Sequence, residues 1–280
     1  MNLYKSTITP TKPLLEVNLR EIFLSKDLLF LFVKRDFISV YKQTVLGPMW
    51  FFIQPILTTL MFTIVFGKVA GLPTDGIPKI LFYLAGLTCW NYFADCLTKT
   101  STTFVDNQEI FGKVYFPRLI TPLSIVISSL IKFGIQFLLF TIVLCYYLIA
   151  RENNVEINRY VLLFPLLLVL MGGLGLGLGI IITSLTTKYR DLRFLILFGI
   201  QLWMYATPVI YPLSSLDGLL RKIALLNPMT SIIETFKYAF IGSGSFSWPY
   251  LGISTAMTFI VLVLGIFIFN KTEQNFMDTI

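Results

Sequence analysis

The chain contains no histidine and only 15 carboxylates among its 280 residues. The first absence removes the commonest metal ligand and the side chain that exchanges protons most readily near neutral pH. The three cysteines, Cys89, Cys96 and Cys145, form no CxxC pair and no disulfide framework. Each falls in an apolar run, where a thiol serves as a small apolar filler. A phosphate-binding loop is missing too. The glycine-rich stretch of Gly172, Gly173, Gly175, Gly177 and Gly179 sits in a Leu/Ile run, with no strand before it and no Lys-Ser/Thr after it. The loops hold no paired carboxylates of the kind a membrane transferase uses for a magnesium–diphosphate site. The several buried acids expected of an ion-coupled transporter are also lacking, Asp95 being the one carboxylate inside an apolar run. Residues 1–25 are polar and mixed, without the apolar core of a cleavable signal peptide. Transport by this chain would draw its energy from elsewhere.

What the chain does have is six long apolar runs: 50–69, 80–100, 119–150, 159–186, 194–211 and 249–269. A bilayer core of ~30 Å needs about 20 apolar residues in helical form. Lipid offers the backbone no hydrogen-bond partner, so the runs predict helices. The reading is an all-α polytopic membrane protein with six transmembrane helices. An even number of spans puts both termini on one side. Twice as many Lys and Arg lie on that side as on the other, which makes it the cytoplasm by the positive-inside rule. The net charge of +7 therefore follows the membrane and does not point to nucleic acid.

Residues 1–25 read as a cytoplasmic arm broken by Pro10 and Pro13. Residues 26–46 contain neither Pro nor Gly until Gly47-Pro48 turns the chain into the first run. Phe30, Val33, Phe37 and Tyr41 share one helical face, and Arg35, Ser39 and Lys42 another, as in an amphipathic helix lying in the interface. The rest, 47–280, forms the transmembrane domain. Its inner loops are 106–117, with a short helix over 106–113, and 187–193, rich in basic residues. The outer segment 213–248 reads as two short amphipathic helices making a re-entrant hairpin. Ser231 with Glu234 has the spacing of a capping box for the second. Gly173/Gly177 and Gly175/Gly179, each four apart, are expected to let helix backbones approach closely.

Charges inside the runs are few. Asp95 and Lys99 are four apart and would pair on one helix face. Lys132 follows Arg118 by about 21 Å of helix rise. At that depth it should face a bundle interior or water, with Gln136 one turn further on; a pathway role and an interhelical structural role both remain open. Aromatic residues gather near the run ends, among them Phe51, Phe52, Trp90 and Tyr92. They form either an interfacial belt or a sugar-stacking track along a pore.

The order of short motifs resembles the membrane subunit of type-2 ABC exporters, and most closely its polysaccharide-export branch of O-antigen, teichoic-acid and capsule permeases. The motifs are VKRDFISVYKQTVLGPMWFFIQP, KVYFPR, KYRDLRF and WMYATPVIYP followed by ALLNPM. The resemblance covers nearly the whole chain. It implies a transport subunit rather than an enzyme, working as a homodimer with two cytoplasmic ATP-binding subunits that hold ATP and Mg, this chain binding no cofactor itself. The implied substrate is a glycan linked to undecaprenyl diphosphate, in the bacterial cytoplasmic membrane. Residue by residue, Arg35 and Lys42 match the family's gate helix; together with Lys34, at the same headgroup level, they could recognise the lipid diphosphate or simply anchor the chain. Glu109, Ile110, Phe111 and Lys113 fall in a first ATPase-coupling segment, and Tyr189, Arg190 and Asp191 in a second. Pro208, Tyr211 and Pro212 mark an outer gate. The expected glycan channel combines Phe51, Phe52, Trp90 and Tyr92 with Lys132 and Gln136. The alternatives are a type-2 permease for a drug or lipid and a membrane-embedded transferase.

Overall fold

The apolar runs become helices in the computed structural model, which describes residues 19–42, 44–111, 113, 116–150, 155–186, 189 and 191–276. Among these residues every regular element is helical. Helices α1 (Leu19–Leu24) and α2 (Lys26–Tyr41) precede a single 3-10 turn, Gly47–Met49. Gly47 has φ +52°, a left-handed conformation that glycine adopts freely, and it redirects the chain into α3 (Trp50–Phe62). A π-helical stretch, Thr63–Val69, continues α3. Next come α4 (Lys79–Thr100), the two short helices α5 (Thr103–Asp106) and α6 (Gln108–Phe111), and α7 (Ile120–Ile149). Helix α8 (Phe164–Thr186) follows a 3-10 turn at Arg159–Leu163. Then come α9 (Leu192–Ala206), α10 (Gly218–Leu226), α11 (Pro228–Ile241) and α12 (Trp248–Phe276).

Five helical segments are long and apolar enough to cross a bilayer: Gly47–Val69, Lys79–Thr100, Ile120–Ile149, Arg159–Thr186 and Trp248–Thr272. The run expected over 194–211 is helical only to Ala206, giving α9 15 residues. The cause is Pro208. A residue before proline is pushed out of the helical region, and Thr207 is extended, at φ −105° and ψ 144°.

Helix α8 is sandwiched between α4 and α12, and its glycines make this possible. A Cβ on Gly175 would lie 2.7 Å from Cys96 Cβ, and one on Gly179 would lie 2.5 Å from Thr100 Cβ. On the other face, a Cβ on Gly177 would meet the Leu262 backbone nitrogen at 3.0 Å. The glycines thus serve close helix packing, as the spacing of small residues implies.

Several local readings change. The capping box is not formed. Asn227 caps α11 by accepting from the Met229 N–H at 3.1 Å, with Pro228 in the first turn, where its missing N–H costs nothing. Ser231 is already inside the helix, bonded to Ser254 Oγ at 2.7 Å. The helix expected over 106–113 is two pieces, because Asn107 leaves the helical region and turns its amide back to Thr103 O. Helix α2 is rotated relative to the expected face. Phe32 and Val33 are buried, whereas Phe30 and Leu31 are exposed. Phe37 stacks on Phe51 at 5.6 Å, and the Tyr41 side chain lies outside the described residues.

Candidate functional site

Helix α2 lies over the N-terminal end of α7, and a cavity of about 410 Å³ opens beneath it. Its lining draws on α2 (Arg35, Asp36, Ser39), the end of α4 (Lys99), the turn between α4 and α5 (Thr102), α6 (Ile110), α7 (Ser128) and the start of α9 (Arg193). A second cavity of about 150 Å³ shares Asp36, Lys99 and Ser128 with the first. It extends to Trp50, Phe51, Gln54 and Lys132.

Four cations border this space, and three have a carboxylate partner. Arg35 pairs with Asp36 at 2.8 Å, reaches Asn107 Oδ1 at 3.4 Å and covers the Phe32 ring at 4.6 Å. Arg193 stands 3.9 Å from Asp106. Lys132 pairs with Asp95 at 2.7 Å. The expected pair of Asp95 with Lys99 is therefore not made: Asp95 reaches across to α7 instead of along its own helix. Lys99 is left half-buried in the cavity wall, its ammonium without a carboxylate partner among the described residues. A half-buried cation in a concave polar site favours an anion, since partial desolvation strengthens charge-assisted hydrogen bonds.

The three residues expected to form a diphosphate patch do not converge. Arg35 lines the cavity, while Lys34 and Lys42 are exposed and stand outside its lining. Arg35 and Lys42 are two helical turns apart, about 10 Å along the axis. Lys42 keeps the helical bond of its N–H to Ile38 O at 2.9 Å, but as the C-cap of α2 it stands beyond the cavity that Arg35 lines. Lys99 and Arg193, which take the places beside Arg35, come from segments far away in sequence. The one local signal for them was a basic residue at each inner end of a run.

Of the coupling residues, Glu109 and Lys113 are exposed and 4.0 Å apart. Ile110 faces the cavity, and Phe111 is buried. Tyr189 and Asp191 are exposed, and Arg190 lies outside the described residues. The two loops are tied together by Arg193–Asp106, by Thr186 Oγ1 donating to Ser101 O at 2.8 Å, and by the Phe104 N–H donating to Thr183 Oγ1 at 3.2 Å. Phe111 also belongs to a buried ring cluster with Phe32, Phe104, Phe116 and Phe269, joining α2, α5, α6 and α12.

The profile of the ABC-2 type transporter family matches residues 27–241. The chain belongs to that family. It is similar to O-antigen export system permease proteins RfbA. One, from Klebsiella pneumoniae, is 28% identical over 90% of this chain and 94% of its own length. Another, from Myxococcus xanthus, is 27% identical over 93% of this chain and 98% of its own. This ABC-2 permease is a membrane transport subunit and not an enzyme.

At the opposite end of the permease, Thr207 to Pro212 forms a buried irregular segment in which only Tyr211 is partly exposed. Two side chains hold it. Lys237, fully buried, donates to Pro208 O at 2.7 Å and sits 3.7 Å over the Phe82 ring. Asn227 donates to Thr207 Oγ1 at 2.8 Å. Val209 rests on Gly86 of α4, where a Cβ would be 2.9 Å from the Val209 carbonyl oxygen. Lys237 reads in sequence as an outer-loop cation; the structure makes it a core residue.

The aromatic residues expected along a channel are dispersed. Phe51 is buried against Phe37, and Phe52 is exposed. Trp90 packs edge-on against Phe93 and Trp203 within the protomer. Tyr92 is buried beside Phe133. Gln136 is buried and accepts from Asn91 at 3.4 Å.

Proposed function

We propose that this permease forms, as a homodimer, the channel of an ATP-driven exporter for a polysaccharide carried on a lipid diphosphate. The observation that carries the reading is the cavity beneath α2, where Arg35, Lys99 and Arg193 meet at the cytoplasmic end of the bundle. A phosphoryl group offers the charge and acceptor geometry that such a set binds, arginine through its planar donor fork and lysine as a point charge. Lys34 and Lys42, exposed on and beyond α2, suit contact with surrounding anionic headgroups. The names of the RfbA relatives support O-antigen-like cargo.

Both termini lie in the cytoplasm under this reading. The sixth crossing is made by α9 together with the irregular segment after it. Helices α10 and α11 form a re-entrant hairpin. Its first helix exposes Leu219, Leu220, Ile223 and Leu226, as a lipid-facing surface would, and its second is almost wholly buried, as backbone at membrane depth requires. Two ATP-binding subunits, with their ATP and Mg, dock on the exposed Glu109–Lys113 pair and on the second loop at Tyr189 and Asp191.

The test is the permease reconstituted with its ATP-binding subunit in vesicles, with undecaprenyl diphosphate-linked glycan as substrate. Glycan lipid stimulates ATP hydrolysis in the wild type. Arg35→Lys and Lys99→Met each lower that stimulation about tenfold, the loss of one charge-assisted hydrogen bond, while the complex still assembles. Full stimulation in both variants removes the cavity from recognition. Equal stimulation by a lipid without glycan removes the polysaccharide.

A further inference from the structure

Two neighbouring helices carry polar side chains at every fourth position in sequence that otherwise suits lipid. On α7 these are Ser128, Lys132 and Gln136; on α4 they are Lys99, Asp95 and Asn91. The helices run antiparallel, so the residues meet in register. Lys99 and Ser128 border the same two cavities, Lys132 pairs with Asp95 at 2.7 Å, and Asn91 donates to Gln136 at 3.4 Å. From Lys99 to Asn91 the ladder climbs about 12 Å along the helix axis. Its foot is the cavity beneath α2, where Ser124, one turn before Ser128, donates to Asp36 at 3.3 Å.

A purely structural role explains this poorly. Charges placed at membrane depth are costly, and an ion pair used only to join two helices is often replaceable by apolar residues with no loss of stability. The middle rung is also not sealed. Asp95 and Lys132 keep 25% and 19% of their side chains exposed, whereas Lys237, which has a structural contact, keeps none. The chemistry of the rungs fits one class of ligand. The Asp95–Lys132 rung has no net charge, the Asn91–Gln136 rung is neutral, and together they offer donors and acceptors in alternation. A carbohydrate hydroxyl both donates and accepts, so it can exchange with a rung at little cost. The rungs satisfy one another when no chain is present.

We infer that this ladder is the inner-leaflet stretch of the glycan path, binding the hydroxyl groups of the sugar chain behind the diphosphate. The inference rests on the polysaccharide reading above. It places the path on polar side chains and not on Trp90 and Tyr92, which are packed inside the protomer.

The experiment uses the assembled permease–ATPase complex. Asn91→Cys, compared with its parent, reacts with a membrane-impermeant charged methanethiosulfonate, since the path is wet. The apolar pair Asp95→Leu/Lys132→Leu assembles with unchanged thermal stability but exports glycan at least about tenfold more slowly, having lost its exchangeable hydrogen bonds. The uncharged polar pair Asp95→Asn/Lys132→Gln retains most of the export, because polarity and not charge is required. No labelling at position 91 overturns the inference, and that measurement does not depend on whether the apolar pair assembles. Wild-type export by the apolar pair overturns it as well. Either result leaves the polysaccharide reading intact if the wild type moves glycan. Failure of the wild type to move glycan overturns both.

Discussion

Lys237 illustrates what a single buried group does for this protein. Its ammonium is fully enclosed, bonded to Pro208 O, over the Phe82 ring and near the charge of Glu234 one turn earlier. Lys237→Met leaves the Pro208 carbonyl unpaired in a buried place and deprives Glu234 of its compensating charge. The expected loss is about 1–3 kcal/mol, read as a lowered melting temperature of the detergent-solubilised permease. The Thr207–Pro212 segment should become more protease-sensitive at the same time. Nothing local in the sequence marks Lys237 for this task. Its partner carbonyl lies 29 residues earlier, across a break that only Pro208 and Pro212 announce. The same limit explains Asp95. Spacing of four residues exposes Lys99 as a neighbour, but Lys132, on another helix, is nearer once the two helices pack.

At the scale of elements, the contact of α8 with α4 depends on the absence of side-chain atoms. Gly179→Ala would place a Cβ 2.5 Å from Thr100 Cβ, closer than real Cβ contacts, so the helices must separate. Overpacking of this kind costs about 1–3 kcal/mol. Gly134→Ala, with nothing within 4 Å, should be neutral or slightly stabilising through helix propensity. Thermal unfolding of the two variants side by side checks the contrast. Helix lengths were largely legible because hydrophobicity and the need to satisfy backbone groups act locally. Residues 159–186 illustrate this: the apolar run and the helical segment have the same bounds. Breaks were less legible. Asn107 interrupts the segment 106–113 through its own side chain, and Lys42, at the very end of α2, stands beyond the cavity, so a patch defined by heptad spacing lost one of its members.

For the molecule as a whole, the two segments around Asp106 and Arg193 act as one piece. Arg193 and Asp106 join them across a long stretch of sequence, both partly exposed, so the pair is weak in stability terms but fixes the relative position of the loops. Arg193→Glu should leave expression unchanged and lower the amount of substrate exported per ATP hydrolysed by roughly tenfold. Asp106→Arg in the same chain should recover most of it, as a double-mutant cycle reveals. Recovery below the level of either single variant would mean the two residues act separately. The motif order made the family legible across almost the full length. The convergence of Arg35, Lys99 and Arg193 was not legible, since it depends on how three distant helix ends meet.

The ring cluster has a further consequence. Phe32 of α2 touches Phe116 at 5.6 Å, Phe116 touches Phe111 of α6 at 5.7 Å, and Phe104 stacks on Phe269 of α12 at 4.8 Å. Packed rings at these distances leave little slack, and a close-packed interior transmits displacement instead of absorbing it. The surface proposed to receive the ATP-binding subunit and the helix proposed to sense cargo are thus two faces of one block. Thermodynamics then makes the traffic reciprocal. Whatever factor nucleotide imposes on the affinity for cargo, cargo imposes the same factor on the affinity for nucleotide. An exporter built this way registers an arriving chain as a change in its grip on ATP, without a dedicated sensor.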